Sequence, residues 1–318
     1  MLQFKDIELD DKEWVVELLS YSDYNATEYN FTVLYLWKEY YNTKICRYKD
    51  YLLIRSQPSW ANDMQYILPA GRGSDAEFKE VIELYREDAA QNNCEFGIFS
   101  VLPCQKEKLE LLYPDKFTYT PLRDSYDYIY NAADLLYLKG KKYQSKRNHI
   151  NKFKSTYNWE YELLNSSNLE ECKQMARDWC AQFGGCADGK TLEAEADTVI
   201  GALDSMELFG LKGGVLKVDG KVVGFTLAER LNSDTLIVHI EKAFASVSGA
   251  YPTIANEFLK SLFTEFDGLD RDNAQKDDSE LLYKYINRED DAGNLRLREA
   301  KMQYHPAFLL EKFLVKEI

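Results

Sequence analysis

The chain has few of the residues that build metal sites and disulfide frameworks. It contains three histidines in 318 residues, and none of its cysteines forms a CxxC pair. A structural zinc site needs four closely spaced thiolate or imidazole ligands. The acidic run Glu289, Asp290 and Asp291 lacks the alternating ligand spacing of a calcium loop. The sequence therefore predicts no metal site, and reduced, mostly packing cysteines at Cys46, Cys94, Cys104, Cys172, Cys180 and Cys186.

Long apolar runs are also lacking. No stretch of about 18 apolar residues occurs, and the opening MLQFKDIELD lacks the charged-then-apolar pattern of a signal peptide. We therefore expect a soluble, cytoplasmic protein with no integral membrane segment. With 45% hydrophobic residues the chain can bury a large core, and its length favours two domains.

Positive charge is scarce except in one segment. The formal net charge is −14, yet the sixteen residues from Lys139 to Lys154 contain seven cations and no acid. A local reversal of this kind indicates an anionic partner, and a solvated basic helix face is the simpler alternative.

Helical spacing separates the cations of this segment. A helix over residues 141–154 has an apolar face made of Tyr143, Ile150 and Phe153. Lys146 falls inside that sector and Arg147 lies on its edge, whereas Lys141 and Lys152 point away from it. Cations among apolar positions either extend their charged ends to the rim or line a polar cleft. We favour the cleft for Lys146 and Arg147.

Both halves of the sequence predict one order of elements: helix, helix, three strands, helix, strand, helix, strand. In the second half, Asp219-Gly220 between two apolar strands is the signature of a tight hairpin. We predict an α+β fold of two related domains, residues 1–136 and 137–318. Each would be a mixed, mostly antiparallel sheet flanked by helices, with the basic helix 141–154 at the junction. A polar loop is predicted at 267–279.

This order resembles the acetyltransferase-like (GNAT, acyl-CoA N-acyltransferase-like) fold. The stretches WKEY, LKGKKYQSKRNHINKF, VHIEKAFASVSGAY and YINREDDAGNLRLREAKMQYHP resemble the C-terminal catalytic domain of phosphatidylglycerol lysyltransferases. Those proteins and their soluble relatives are tandem GNAT proteins akin to the Fem-type aminoacyltransferases. The resemblance covers most of the chain, and its most specific motifs are KRNHINKF and the stretch from NRED to KMQYHP. It implies an acyl- or aminoacyl-transferase with a phosphate-bearing donor, aminoacyl-tRNA or acyl-CoA, and a phospholipid or small-amine acceptor.

Glu241 and Lys242 are the candidate catalytic residues. They lie at the end of the strand TLIVHIEKA, where a carboxylate can deprotonate an attacking amine or hydroxyl. A structural ion pair with a basic residue is the alternative. Strand alternation predicts that His239 shares a face with Glu241.

Five residues are candidates for binding the phosphate of the donor. Arg and Lys side chains suit phosphate oxygens, and a glycine at a helix N-terminus lets phosphate approach the backbone. The candidates are Lys146, Arg147, Arg298, Lys301 and Gly249. Further site candidates are His149, His239, Tyr251, Asn287, Tyr304 and His305.

The turn SVSGAYPT departs from the GNAT pattern of Arg or Gln, two residues, Gly, one residue, then Gly or Ala. Ser246 and Tyr251 occupy its first and last places. The departure counts against acetyl-CoA and is compatible with an aminoacyl-tRNA donor or with loss of transfer activity.

Two other functions stay open. One is acyl-CoA-dependent N-acetylation of a small amine. The other is a non-catalytic nucleic-acid-binding module that uses the basic helix, whose binding would weaken steeply with salt. Convergence of the cationic side chains on one cleft would favour the transferase.

Overall fold

The structure is a computed structural model that describes residues 2–182, 190–267 and 281–318. The chain divides into two compact units. The first unit comprises Met1–Tyr128, Asp290–Arg298 and Leu309–Ile318, and the second comprises Ile129–Glu289 and Glu299–Phe308. This division differs from a single boundary between residues 136 and 137. The polar loop predicted at 267–279 lies outside the described residues, apart from its first residue.

The strands, in chain order, are β1 Lys5–Asp6, β2 Lys44–Tyr48, β3 Tyr51–Ser56, β4 Gln65–Gly71, β5 Gly97–Val101, β6 Phe117–Pro121, β7 Asp127–Asn131, β8 Trp159–Leu163, β9 Lys212–Val218, β10 Lys221–Arg230, β11 Thr235–Ala243, β12 Tyr285–Asn287, β13 Phe308–Leu310 and β14 Phe313–Glu317.

The α-helices are α1 Lys12–Ser22, α2 Phe31–Leu36, α3 Lys38–Tyr41, α4 Asp75–Gln91, α5 Pro103–Leu112, α6 Ala132–Tyr137, α7 Gln144–Thr156, α8 Leu169–Gln182, α9 Lys190–Asp204, α10 Met206–Phe209, α11 Ala250–Asp267 and α12 Leu295–Met302. Short 3₁₀ helices cover Leu9–Asp11, Thr27–Tyr29, Arg123–Ser125 and Lys141–Tyr143.

The first unit is built on a seven-stranded sheet in the order β1-β2-β3-β4-β5-β14-β6. Strands β2, β3 and β4 form an antiparallel meander, and β5 then pairs parallel with β4. The last strand of the chain, β14, pairs antiparallel with both β5 and β6. This pairing returns the C-terminus to the first sheet, which explains why one boundary cannot separate the units.

The second unit repeats this plan with the order β13-β7-β12-β11-β10-β9-β8. Strands β9, β10 and β11 form the antiparallel meander, and β12 pairs parallel with β11. Asp219 and Gly220, with φ of 50° and 74°, make the tight turn between β9 and β10. The predicted hairpin and the shared order of elements are therefore confirmed.

Helix α11 covers β9, β10 and β11 on one face of the second sheet and also contacts α6 and α7. The predicted apolar face of the basic segment is buried: Tyr143, Ile150 and Phe153 are each at most 5% exposed. Lys141 and Lys152 are exposed, as the helical spacing predicts. Helices α6 and α11 and strands β11 and β12 line a cavity within this unit.

A buried ion-pair network surrounds Lys312 in the first unit. The Nζ atom of Lys312 lies 2.8 Å from Asp127 Oδ1 and 2.9 Å from Glu28 Oε1. The Lys312 and Asp127 side chains are 1% and 0% exposed. Burial alone would lower the pKa of Lys312, but the two carboxylates raise it above its ordinary value. The ammonium group is therefore charged and balanced by acids inside the unit.

Candidate active site

A narrow cavity opens in the second unit between the ends of β11 and β12 and helix α11. The space between its walls is ≈ 380 Å³ when the solvent at its open mouth is counted, and the enclosed part is only ≈ 20 Å³, room for about one water molecule. Most of its wall is apolar. The lining residues are Leu135, Leu138, Val238, Glu241, Pro252, Ala255, Asn256, Phe258, Leu259, Ile286, Arg288 and Tyr304.

An ion pair lies in this wall. The Arg288 Nη2 group donates a hydrogen bond of 2.7 Å to Glu241 Oε1, and the two side chains are 13% and 12% exposed. Burial would lower the pKa of Arg288, but the charge of Glu241 raises it above the ordinary value. The guanidinium Cζ lies 4.8 Å from the centroid of the Tyr304 ring. Burial also raises the pKa of Tyr304.

Sequence reasoning missed Arg288, although it proposed the neighbouring Asn287. A signal was available in the sequence, because YINR is a short apolar strand that ends in a cation. The parallel pairing of β12 with β11, in which Asn287 lies opposite Ile237, places Arg288 beside the middle of β11, and its side chain reaches Glu241.

Lys146 lies beside the same tyrosine. Its Nζ is 3.9 Å from the centroid of the Tyr304 ring and 3.5 Å from Gln303 Oε1. Burial, followed by the positive charge of Arg288, lowers the pKa of Lys146. The structure therefore brings Lys146, Tyr304, Arg288 and Glu241 together.

The other cationic candidates have protein partners. Arg147 donates hydrogen bonds to the Leu138 carbonyl and, at 2.8 Å, to the Gly140 carbonyl. Lys301 Nζ donates to the Arg288 carbonyl at 2.6 Å. Arg147 and Lys301 therefore hold backbone segments of the second unit and do not line its cavity.

Arg298 belongs to the first unit. It forms 2.7 Å contacts with Asp291 and Asp124, and Asp291 is fully buried. Burial would raise the pKa of Asp291, but hydrogen bonds from Arg298 and Tyr128 lower it to about 2. The sequence did not reveal the aspartates that neutralise Arg298, and α12, which carries it, has no buried residue.

Lys242 points away from its neighbour Glu241. Its Nζ lies 2.6 Å from Glu195 Oε1 and 3.6 Å from the centroid of the Trp179 ring. Successive side chains on a strand point to opposite faces, and Lys242 does not line the cavity.

The predicted alternation of His239 and Glu241 is interrupted by a bulge. Leu227 of β10 pairs with Ile240 and Ala228 pairs with Val238, so no residue of β10 lies opposite the backbone of His239. Val238 and Glu241 line the cavity, and His239 does not. The expectation of a regular shared face on β11 is therefore wrong, because a one-residue bulge breaks the period of two.

The remaining candidates have structural contacts. The His149 side chain is exposed. His305 Nε2 lies 3.3 Å from the Lys142 carbonyl. The Asn287 Oδ1 atom accepts a 2.6 Å hydrogen bond from the Glu289 N–H, and the Tyr251 hydroxyl accepts one of 3.1 Å from Trp179 Nε1.

Gly249 is required by packing. Its φ is +87°, and a Cβ built there would lie 2.7 Å from the His149 carbonyl oxygen and 2.9 Å from Phe153 Cβ. The absence of a side chain thus lets the turn before α11 contact α7 directly.

Two backbone positions of the same turn cannot donate to a pyrophosphate. The Ala250 N–H donates to the Val247 carbonyl at 3.1 Å, and Pro252 has no N–H. A helix N-terminus binds phosphate through several free N–H groups, so this turn keeps fewer of them than a turn without proline.

We expect Gly249→Ala to destabilise the protein more than Gly210→Ala. Gly210 also has a positive φ, +75°, but nothing lies within 4 Å of its added Cβ. Both substitutions incur backbone strain, about 1 to 3 kcal/mol, and only Gly249→Ala adds a backbone clash. Denaturant unfolding of the two variants measures the difference. Equal losses of stability would contradict a tight contact between the turn and α7.

Within the described ranges, no three or more His, Cys, Asp or Glu residues form a group that could hold a metal ion. Cys46, Cys94, Cys104, Cys172 and Cys180 are free thiols, and Cys186 lies outside the described residues. No helix in the described part of the chain is both long and apolar enough to cross a membrane.

The two repeated units define a class of fold. A tandem GNAT protein from the clavulanic acid biosynthesis pathway has a TM-score of 0.51 to this chain at 8% identity, covering 100% of this chain and 98% of that one. The likeness shows the fold alone. The predicted tandem GNAT-like α+β architecture is confirmed.

The chain belongs to the family described as "Phosphatidylglycerol lysyltransferase, C-terminal", whose model matches residues 21–316. A conserved protein of unknown function from Bacteroides thetaiotaomicron is 34% identical, with a TM-score of 0.88 and full coverage of both chains. L-PGS from Bacillus licheniformis is 14% identical, with a TM-score of 0.63, covering 96% of this chain and 91% of that one. Membership supports acyl or aminoacyl transfer in general as the class of activity.

Proposed function

We propose that the second unit transfers an acyl or aminoacyl group from a phosphate-bearing donor ester to an amine or hydroxyl acceptor. The observation that carries the proposal is the Glu241–Arg288 pair in the wall of an otherwise mostly apolar cavity. The open mouth of this cavity would place the carbonyl of an acyl group beside one carboxylate and one guanidinium.

The proposed roles follow from the chemistry of ester attack. The acceptor must lose a proton, and the carbonyl oxygen gains negative charge. Glu241 Oε1 accepts from Arg288, whereas Oε2 has no hydrogen bond from the described residues. Oε2 is thus the site that takes the proton of the acceptor. The guanidinium of Arg288 stabilises the developing oxyanion. When the oxyanion collapses, the ester bond breaks and the hydroxyl of the donor leaves with the proton that Glu241 has taken.

Lys146 is the proposed contact for the phosphate of the donor. It is half-buried beside Tyr304, and it forms no ion pair with a carboxylate of the described residues. Its ammonium charge is therefore available to an anion at the site. Because Pro252 lacks an N–H and the Ala250 N–H is already bonded, we favour an aminoacyl-tRNA over acyl-CoA as that donor.

The charges in the wall of the cavity indicate which acyl groups it can accept. The only carboxylate among its described lining residues is Glu241, which is already paired with Arg288. A lysyl group would bring an extra side-chain ammonium towards Arg288 and Lys146, and like charges in close contact cost several kcal/mol. We therefore propose an aminoacyl group with an uncharged side chain.

A transfer assay tests the proposal. tRNAs charged with ¹⁴C-labelled leucine, alanine or lysine are mixed with the protein and either phosphatidylglycerol vesicles or spermidine. We expect label to reach an acceptor from leucyl- or alanyl-tRNA at least roughly tenfold faster than from lysyl-tRNA. The acceptor that becomes labelled identifies the lipid or the small-amine reaction.

Acetyl-CoA is the control donor. Release of CoA thiol with spermidine, without transfer from any of the tRNAs, would overturn the aminoacyl donor and support the N-acetyltransferase alternative. Salt-sensitive tRNA binding that Lys146→Gln weakens, without transfer to any acceptor, would instead support the nucleic-acid-binding module.

A further inference from the structure

His239 is a buried group that the proposed chemistry does not use. Its Nδ1 lies 3.0 Å from Glu289 Oε1 and its Nε2 lies 2.9 Å from Glu229 Oε1, and its side chain is 7% exposed. Ionised carboxylates only accept hydrogen bonds, so both contacts are hydrogen bonds when both ring nitrogens carry protons. Burial would lower the pKa of His239, but Glu229 and Glu289 raise it to about 9.

The segment that contains Arg288 is held from several sides. Glu289 has a φ of +56°, an uncommon conformation for a residue with a side chain. Its N–H donates to Asn287 Oδ1 at 2.6 Å. Lys301 Nζ donates to the Arg288 carbonyl at 2.6 Å and lies 3.3 Å from the Glu289 carbonyl. Strained backbone persists where its surroundings over-determine it.

His239 supplies the contact to the side chain of Glu289 in this arrangement. None of His239, Asn287, Glu289 and Lys301 lines the cavity, whereas Arg288 does. Contacts outside the cavity thus hold the residues on either side of Arg288 in place. These contacts determine where the Arg288 guanidinium can contact Glu241.

We propose that His239, as an imidazolium held between Glu229 and Glu289, is a positioning residue that keeps Arg288 against Glu241. The proposal rests on the proposed function only in taking the Arg288–Glu241 pair as the reacting site. The charged groups that face the imidazole are Glu229 on β10 and Glu289 after β12. Loss of the imidazolium proton leaves a donor for only one of the two carboxylates, which weakens the hold on the segment that contains Arg288.

The sign of the pH effect follows from the raised pKa. The stability that His239 contributes is fully present below its ordinary pKa of about 6.5 and is lost as the pH rises through about 9. Arg288 itself stays protonated over this range, because Glu241 raises its pKa. A change at Arg288 near pH 9 would therefore report movement of its side chain.

NMR of the whole chain, labelled in histidine and arginine, tests the proposal without a substrate. Because the chain has three histidines, His239→Gln identifies the His239 signal by its loss, and Arg288→Lys identifies the Arg288 Nε–H signal. We expect both signals of the unsubstituted protein to titrate together with a midpoint at about 9. Glu289→Gln should lower the His239 midpoint by roughly 1 to 3 pH units and shift the Arg288 signal.

His149→Gln is the matched control, because His149 is exposed and should leave the Arg288 signal unchanged. A His239 midpoint below pH 7, or an Arg288 signal indifferent to both pH and Glu289→Gln, would overturn the positioning role. The titration of the unsubstituted protein decides the matter even where a variant does not fold. An Arg288 response without any transfer activity would reject the proposed function alone.

Discussion

Glu241→Gln is expected to lower the rate of the proposed transfer by about 10²- to 10⁴-fold, the usual contribution of a general base. The amide keeps the shape of the side chain and an oxygen that can accept from Arg288, whose Nη2 now lies 2.7 Å from Oε1. It cannot take a proton from the acceptor. The rate of label transfer from aminoacyl-tRNA measures the loss.

Glu160→Gln is the control for this substitution. Glu160 lies on β8 of the same unit and is exposed, so the same chemical change there should leave the rate within twofold of the unsubstituted protein, roughly 0.4 kcal/mol. Denaturant unfolding of both variants separates a catalytic loss from a loss of folded protein. A folded Glu241→Gln protein with an undiminished rate would remove Glu241 as the base.

Local patterns predict much of this fold. The tight hairpin at Asp219-Gly220 and the buried side of the basic helix follow from turn chemistry and helical spacing. The pairing of β14 with β5 and β6 cannot be predicted in this way, because about two hundred residues separate those strands from β14. The residues of a short apolar strand do not specify which strand it pairs with. The discontinuous units result from that non-local pairing.

In the candidate site, too, local sequence patterns do not predict which groups the side chains contact. Helical spacing identifies the sector of α7 in which Lys146 and Arg147 lie, but not the groups that these side chains and Arg298 contact. Backbone carbonyls engage Arg147, and Asp124 and Asp291 neutralise Arg298. A cation that faces inwards is therefore available to a ligand only where the fold supplies no acceptor.

A second large effect is expected in the first unit. Lys312→Met should destabilise the protein by about 3 to 5 kcal/mol, the usual cost of removing one member of a buried ion pair. The methionine fills a similar volume, but it leaves Asp127, which is 0% exposed, and Glu28 without the ammonium group that lies 2.8 and 2.9 Å from them. The midpoint of guanidinium unfolding, compared with that of the unsubstituted protein, measures the loss.

Lys316→Met provides the matched control. Lys316 lies in β14 close to Lys312, and its pair with Glu95 is solvent-exposed, with side chains 42% and 62% accessible. Exposed pairs contribute at most about 1 kcal/mol, so this variant should unfold close to the unsubstituted protein. Adding Asp127→Asn to Lys312→Met should recover part of the lost stability, because it removes the buried charge that the first substitution leaves unbalanced. Equal effects of Lys312→Met and Lys316→Met would show that the buried charges of the first unit are solvated by some other route.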